Sequence, residues 1–207
     1  AMSSTEKLYF YPLWLRIWHG FNALGILTLI FTGLSMQSSV ESAQLVSFNI
    51  IVNLHNVAGI IVTLSYVGYF IGNMITSNGK FYLIKSEGFF KKPIKQARYY
   101  VWGMFHGEKS PYPLSAKRKF NPLQKYAYVM VMYFAVPLVI ISGFALLFPE
   151  IIINEIYNFS GVFLTAVMHS IMGFFISLFL VIHLYVASIG KSPLQNFKSI
   201  ITGWHHV

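Results

Sequence analysis

Four long apolar runs dominate the sequence, at residues 13–36, 50–75, 123–148 and 163–189. Arg16 and Lys125, each near one end of a run, are the charged residues within them. A bilayer core needs about 20 apolar residues per helix, so every run is long enough to cross it. None shows the alternation of apolar and polar residues typical of a membrane β-barrel strand. The sequence therefore predicts an all-α fold, an integral membrane four-helix bundle that forms one domain over residues 1–207.

The distribution of Lys and Arg indicates how the bundle is oriented. Of the 15 Lys and Arg residues, 11 lie in or beside the long connection 77–122 between the second and third helices. The other four precede or begin the first helix or follow the fourth, and the connections 37–49 and 149–162 contain none. The positive-inside rule then places both termini and the basic loop 77–122 in the cytoplasm.

The composition excludes several classes of protein. Hydrophobic residues make up 56% of the chain and charged residues 10%, whereas about a quarter of the residues in a soluble domain are charged. The net charge of +9 is explained by topology and by attraction to anionic lipid headgroups, so we expect membrane lipid and not nucleic acid as a partner. Cysteine is absent, which excludes disulfides, thiolate-held iron–sulfur clusters and covalently attached haem.

Four of the seven histidines lie inside the apolar runs. They are His19, His55, His169 and His183. An unpaired imidazole in hydrocarbon costs on the order of a few kcal/mol, so each should face the bundle interior and have a partner. His19 and His183 lie near the cytoplasmic ends of their helices, and His55 and His169 near the outer ends. Depth therefore predicts one pair per leaflet, whereas His106, His205 and His206 are expected to be solvated or interfacial.

The spacing within the fourth helix gives the pairs a geometry. Fourteen residues separate His169 from His183, which amounts to ~1400° of rotation and a rise of ~21 Å, so both rings point the same way. Two such ligands, facing one histidine on each of two other helices, can hold two stacked six-coordinate haems. A small residue also follows each histidine at i+4, where it would leave room for a porphyrin, although close helix packing explains small residues as well. These residues are Ala23, Gly59, Gly173 and Ala187.

A single intramembrane histidine is more often a hydrogen-bonded core residue or a proton-relay member than a haem ligand. A transporter with a histidine-lined proton or metal path is therefore an alternative. Such a path predicts acidic relay residues inside the spans. The sequence has no Asp and no Glu within a span, which favours haem.

Several segments resemble a known family. They are Tyr11–His19 with Asn22, Thr32–Gly33, Phe120–Lys125, the pair His169 and His183, Gly190–Pro193 and Ile201–Trp204. They resemble the bacterial di-haem cytochrome b subunits of hydrogenase, formate dehydrogenase and thiosulfate reductase, a cytochrome b561-like group, and most of all its thiosulfate-reductase-like branch. The resemblance implies the bacterial inner membrane and two non-covalent haem b groups, with the same pairing of ligands that depth predicts.

The resemblance also implies a quinone site at the cytoplasmic haem, with Asn121 in contact with the quinone. Asn121 as the N-cap of the third helix is the structural alternative. Arg16 and the cluster Lys117–Lys119 are candidate counter-ions for haem propionates or for quinone-linked charge. A solvated role in setting the topology is the alternative for these cations.

The sequence thus predicts a membrane di-haem b-type cytochrome that passes electrons between a periplasmic redox subunit, an iron–sulfur or multihaem protein, and the quinone pool. Two histidines on each iron leave no open position, so no residue is predicted to be catalytic. The closest rival is a stand-alone cytochrome b561-type quinone oxidoreductase, for example a superoxide:quinone enzyme, which needs no periplasmic partner. The long basic loop favours the partnered subunit, and a homodimer stays open.

Overall fold

The structure is a computed structural model that describes residues 7–37, 47–86, 88–189 and 192–206. In chain order the elements are β1 (Lys7–Tyr9), α1 (Leu13–Gln37), α2 (Phe48–Ile75), α3 (Lys91–Val101), α4 (Pro122–Met130), α5 (Val136–Leu147), β2 (Glu155–Ile156), β3 (Phe159–Ser160), α6 (Gly161–Ser188), α7 (Gln195–Thr202) and β4 (Trp204–His206). Of the predicted family segments, Gly190 and Lys191 lie outside the described residues.

Four helical spans in the described part of the chain are long and apolar enough to cross a membrane. They are α1, α2, the composite span Pro122–Leu147 and α6, and each begins and ends within two residues of a predicted apolar run. The predicted all-α membrane fold is therefore confirmed. A π-helical turn, Val131–Ala135, joins α4 to α5 and ends two residues before Pro137, which has no backbone N–H to continue a regular helix.

The contacts divide the chain into two compact units. The first unit comprises residues 1–16, 72–133 and 182–207, and so contains both chain ends and the basic connection. In it β1 pairs antiparallel with β4, with Tyr9 opposite Trp204. Gly203 ends α7 with a φ of +89°, and a side chain there would collide with the ring of Tyr9. Because β1 and β4 are paired, the segments that precede α1 and follow α7 lie on the same side of the membrane.

The first unit also corrects one prediction. The side chain of His205 is 9% exposed, its Nδ1 lies 3.1 Å from the Ser199 hydroxyl, and its ring stacks on Phe10 at 5.8 Å between centroids. The expectation that His205 is solvated or interfacial is wrong, because the pairing of the chain ends covers it. His106 is exposed and stacks on Trp102 at 4.0 Å.

The second unit comprises residues 17–71 and 134–181. In it α1 and α2 pack closely, since a Cβ on Gly25 would collide with the side chain of Val62. The strands β2 and β3 form a hairpin whose two turn residues, Tyr157 and Asn158, have φ values of 49° and 67°. Two positive φ values are typical of a type I′ turn, which matches the twist of a two-residue hairpin.

The topology can be tested by cysteine labelling, because the natural chain has no cysteine. We expect Tyr157→Cys, in the outer hairpin, to react with a membrane-impermeant maleimide added to intact spheroplasts. We expect Lys109→Cys, in the basic connection, to react only after the membrane is opened. Both side chains are exposed, so access to the reagent and not burial decides the result. Equal labelling of both positions in intact spheroplasts would contradict the orientation.

Candidate functional site

Two of the predicted histidines meet in the second unit. The imidazole of His55, on α2, lies 6.2 Å from that of His169, on α6, between ring centroids, and the ring planes are inclined by 70°. Metal–imidazole bonds are about 2 Å long, so two rings that share one six-coordinate metal have centroids about 6 Å apart. The structure thus brings together the pair predicted for the outer leaflet at a separation that suits a single iron between them.

A buried hydroxyl orients the first of these rings. Thr32 on α1 is 0% exposed, and its Oγ1 lies 2.8 Å from Nδ1 of His55. The same hydroxyl donates its proton to the Thr28 carbonyl at 2.7 Å. A hydroxyl has one proton, so its oxygen must accept the N–H of Nδ1. The Nε2 lone pair of His55 is then the one available to a metal.

The second ring has the same arrangement. Ser142 on α5 is 1% exposed, and its Oγ lies 3.0 Å from Nδ1 of His169. Its proton goes to the Leu138 carbonyl at 2.7 Å, one turn back along α5. His169 therefore also carries its proton on Nδ1 and presents Nε2 as a ligand.

A glycine follows each hydroxyl residue and lies against the same imidazole. A Cβ on Gly33 would sit 3.6 Å from Cε1 of His55, and a Cβ on Gly143 would sit 3.1 Å from Cε1 of His169. The second distance is tighter than ordinary van der Waals contact. The same arrangement thus occurs twice in this unit. In each case the histidine of one helix contacts a hydroxyl residue and the glycine that follows it on the preceding helix.

The chemistry of these donors fits a haem. Two neutral imidazoles with opposed Nε2 lone pairs are the axial ligands of a bis-histidine haem, whose porphyrin supplies the other four nitrogens. A metal ion held by protein alone needs about four ligands. The described residues contain no group of three or more His, Cys, Asp or Glu side chains able to supply them. Next to the ligands, a Cβ on Gly173 would meet nothing within 4 Å, and one on Gly59 would meet Leu29 at 3.9 Å.

The two other histidines belong to different units, so their pairing stays a prediction. His183, in the first unit, has the Tyr128 hydroxyl 3.5 Å from its Nδ1, and the two rings are 6.0 Å apart. His19 lies on α1 in the second unit and is half-buried.

Arg16 is bound to the C-terminal helix. Its Nη2 donates to the carbonyl of Ile201 in α7, so the guanidinium contacts the last turn of that helix. Its Nε is buried and has no hydrogen-bond partner among the residues that the structure describes. A buried donor without an acceptor can accommodate an added anionic group, which agrees with the predicted role of a counter-ion.

Asn121 caps α4. Its Oδ1 accepts the backbone N–H of Gln124 at 2.9 Å, and the Gln124 side chain accepts the backbone N–H of Asn121 at 3.2 Å. This is a capping box, followed by Pro122 at the first helical position. The amide nitrogen of Asn121 also donates to the Tyr100 hydroxyl at 2.8 Å. The structural alternative for Asn121 is therefore present, and one N–H of its amide remains for a ligand.

Sequence reasoning missed the hydroxyl partners of the ligands. The sequence singles out Thr32 only as part of a segment that resembles the family, and it does not single out Ser142. Thr32 and Ser142 each lie five residues from the outer end of their helix, and His55 and His169 lie seven and eight residues from the outer ends of theirs. A hydroxyl residue at a depth similar to that of a histidine on a neighbouring helix was thus the available signal.

One alternative from the sequence is wrong. Lys119 was expected, as the alternative to a counter-ion, to be a solvated cation, but it is 2% exposed.

Comparisons with known proteins show the family of the chain. Residues 10–203 match the family described as prokaryotic cytochrome b561. The chain is 35% identical over 206 residues to the candidate cytochrome YdhU of Escherichia coli (strain K12), covering 99% of this chain and 77% of that protein. No solved structure matches the chain significantly.

The hydroxyl contacts predict a change in redox potential. A hydrogen bond accepted from Nδ1–H makes the imidazole a stronger donor and stabilises ferric iron. We expect Thr32→Val and Ser142→Ala each to raise the midpoint potential of the outer haem by about 40 mV, the equivalent of about 1 kcal/mol for one hydrogen bond. Potentiometric titration followed by absorbance measures this.

Matched controls come from hydroxyls that bond only to their own helix. Thr63 donates to the Gly59 carbonyl and Ser177 to the Gly173 carbonyl, each at 2.8 Å. Thr63→Val and Ser177→Ala should leave the outer midpoint unchanged. If these variants shift it as far as Thr32→Val and Ser142→Ala do, the orienting role of Thr32 and Ser142 is refuted.

Proposed function

Because this chain belongs to the prokaryotic cytochrome b561 family, we propose that it carries electrons between a periplasmic redox subunit and membrane quinone through two b-type haems. The family and the four apolar spans make it a multi-pass protein of the bacterial inner membrane, a b561-type cytochrome that binds haem b. The number of haems, the quinone and the partner are our proposal. The observation that carries it is the approach of His55 and His169, each with its Nδ1 held by a buried helix hydroxyl.

We assign His55 and His169 to the outer haem, and His19 and His183 to the inner one. The outer pair is supported by ring separation and by the two hydroxyls. The inner pair is supported by depth along the helices and by the ~21 Å rise between His169 and His183. When bound, haem supplies a one-electron carrier at each site. Two axial histidines leave no open iron position, which disfavours small-molecule chemistry there.

The protein holds and orients the ligands and excludes water. Thr32 and Ser142 hold the protons of the outer imidazoles on Nδ1, so both Nε2 lone pairs would be available to bind a haem iron. The burial of the two hydroxyls keeps the local dielectric constant low, which strengthens each hydrogen bond. The outer site is therefore suited to electron transfer alone.

We place the quinone at the cytoplasmic end. Quinone reduction consumes protons, and two groups able to pair with negative charge or donate a hydrogen bond lie in the first unit. Arg16 has a buried Nε without a partner among the described residues, and Asn121 has one amide N–H beyond its cap and its bond to Tyr100. These are the groups that we assign to propionate or quinone binding.

A periplasmic partner is supported by the outer connection. The outer connection carries exposed apolar side chains at Ile153, just before the hairpin, and at Ile156, Tyr157 and Phe159 within it; Tyr157, at the hairpin tip, is 92% exposed. Exposed apolar side chains on and beside such a turn are typical of a surface that binds another protein. A stand-alone superoxide:quinone enzyme would not need this hairpin. Affinity purification from native membrane separates the two, because the partnered subunit, here of the thiosulfate-reductase-like branch, should retain a redox protein.

Ligand variants test the number of haems and their assignment. We expect His169→Ala to remove the outer haem and about half of the b-type absorbance in the reduced-minus-oxidised spectrum, because one axial ligand is lost. His183→Ala should remove the other half. His106→Ala, at an exposed histidine of the basic connection, is the control and should keep the full spectrum. Wild-type protein that stays colourless after expression with ample haem would refute haem binding altogether.

Quinol kinetics test the second half of the proposal. We expect quinol to reduce the haems, and we expect Asn121→Asp to slow this reaction about tenfold, the effect of losing one hydrogen bond of about 1.4 kcal/mol. Aspartate keeps the size of the side chain and the cap acceptor, so thermal stability should hold. Asn154→Asp, in the outer connection, is the control. If quinol reduces the haems of Asn121→Asp at the wild-type rate, Asn121 acts as the helix cap and does not contact quinone.

A further inference from the structure

The first unit buries a lysine that the proposed electron path does not use. Lys119 directly precedes the segment that starts α4 and is 2% exposed. Its ammonium donates to Oδ1 of Asn78 at 2.8 Å, and no carboxylate of the described residues forms an ion pair with it. A buried lysine without a counter-ion is costly to keep charged, because burial removes its hydration.

Aromatic rings replace the missing counter-ion in part. The Lys119 ammonium lies 4.7 Å from the ring centroid of Tyr11, 5.6 Å from that of Phe120 and 5.7 Å from that of Phe81. Ring faces attract a cation, but they do not fully replace water. Burial lowers the pKa of Lys119 to about 7, so its charged and neutral forms are close in free energy at neutral pH.

The titratable and charged groups beside Lys119 are Tyr11, Arg118 and Lys80, whose ammonium lies 5.2 Å from the centroid of the same Phe81 ring. Burial, and then Tyr82, raise the pKa of Tyr11 to about 12, so Tyr11 is uncharged at pH 7. Asn78, Phe81 and Phe120 carry no charge. Arg118, next in the chain, is exposed.

A polar chain extends from Lys119 towards the membrane span. The Asn78 amide nitrogen donates to Oδ1 of Asn73 at 2.7 Å, and the Asn73 amide nitrogen lies 3.4 Å from the Tyr133 hydroxyl, to which it donates. Each amide oxygen thus faces the side of the ammonium. Such an alignment of dipoles stabilises a positive charge at Lys119 when it is present.

The same aromatic cluster reaches a proposed haem ligand. The ring of Phe120, which faces Lys119, is 4.9 Å from the ring of Tyr128, and Tyr128 in turn is 6.0 Å from the imidazole of His183. These contacts lie within one unit. The rings of Phe120 and Tyr128 thus connect the surroundings of Lys119 to the imidazole of His183 by direct contacts.

From this arrangement we propose that Lys119 is a redox-linked proton-binding site for the inner haem. The inference rests on the proposed function, since it requires haem at His183. One electron that arrives at this haem is accompanied by up to one proton from cytoplasmic water, which converts the Lys119 amine into an ammonium. On oxidation the electron leaves to its acceptor and the proton returns to the water, so charge balances in both directions.

The test is a redox titration of the whole haem-loaded protein between pH 5.5 and pH 9. A proton on Lys119 stabilises the added electron, so the midpoint of the inner haem should be highest below pH 7 and fall as the pH rises above it. The inner haem is the one that His183→Ala removes. The outer midpoint should not change with pH over this range.

Substitutions of Lys119 should make the midpoint potential of the inner haem independent of pH, at either its acid or its alkaline value. Lys119→Met should give a midpoint that is independent of pH and near the alkaline value. Lys119→Arg should hold it near the acid value, because arginine stays protonated. Lys117→Met removes a neighbouring exposed cation and should keep the wild-type slope. A slope that survives in Lys119→Met overturns the proposal.

A second position decides the matter if Lys119→Met does not assemble. Asn78→Asp places a carboxylate beside the ammonium with little change in size, and should move the break in the inner midpoint to higher pH. A break that stays at the wild-type pH overturns the proposal. Absence of b-type bands in wild type would instead refute the proposed function. Two haems whose midpoints ignore pH would refute only the role of Lys119.

Discussion

The contact between a helix hydroxyl and an intramembrane imidazole is the interaction on which the outer site depends. Hydrocarbon offers no water to satisfy an N–H, so each ring must find an acceptor within the protein. Thr32 and Ser142 supply it, and each commits its own proton to a carbonyl one turn back. The hydroxyl is therefore locked to the backbone of its helix. Each imidazole is held between its own helix and a hydroxyl fixed to a second helix. The position of its Nε2 therefore depends on how these two helices are placed.

The helices and the depth of each histidine along its helix follow from the sequence alone, because hydrocarbon tolerates few charges and a helix has a fixed rise. The hydroxyl partners do not. Thr28, Thr63 and Ser177 also donate to carbonyls of their own helices, so residue type does not distinguish them from Thr32 or Ser142. Only the lateral position of neighbouring helices does, and periodicity within one helix carries no information about it.

The basic segment shows the same limit for charge. The sequence predicts one solvated cluster of cations at residues 117–119. In the structure Lys117 and Arg118 are exposed, whereas Lys119 is buried. Consecutive residues point in different directions, and the burial of Lys119 arises from long-range contacts with Tyr11 and Asn78. His205 is buried for a similar reason, the pairing of β1 with β4 across nearly the whole chain length. Contacts between distant segments decide which polar groups are exposed.

The repeated hydroxyl–glycine dipeptide has a consequence for symmetry. α1 and α2 present Thr32, Gly33 and His55, and α5 and α6 present Ser142, Gly143 and His169, in the same order and with matching contacts. The two helical pairs thus hold their imidazoles by the same kind of contact. A flat macrocycle bound between these imidazoles would have a hydroxyl-bonded histidine on each face. Neither ligand would be the stronger donor through its hydrogen bond, so the direction in which an electron crosses the site would be set by the potentials of its neighbours.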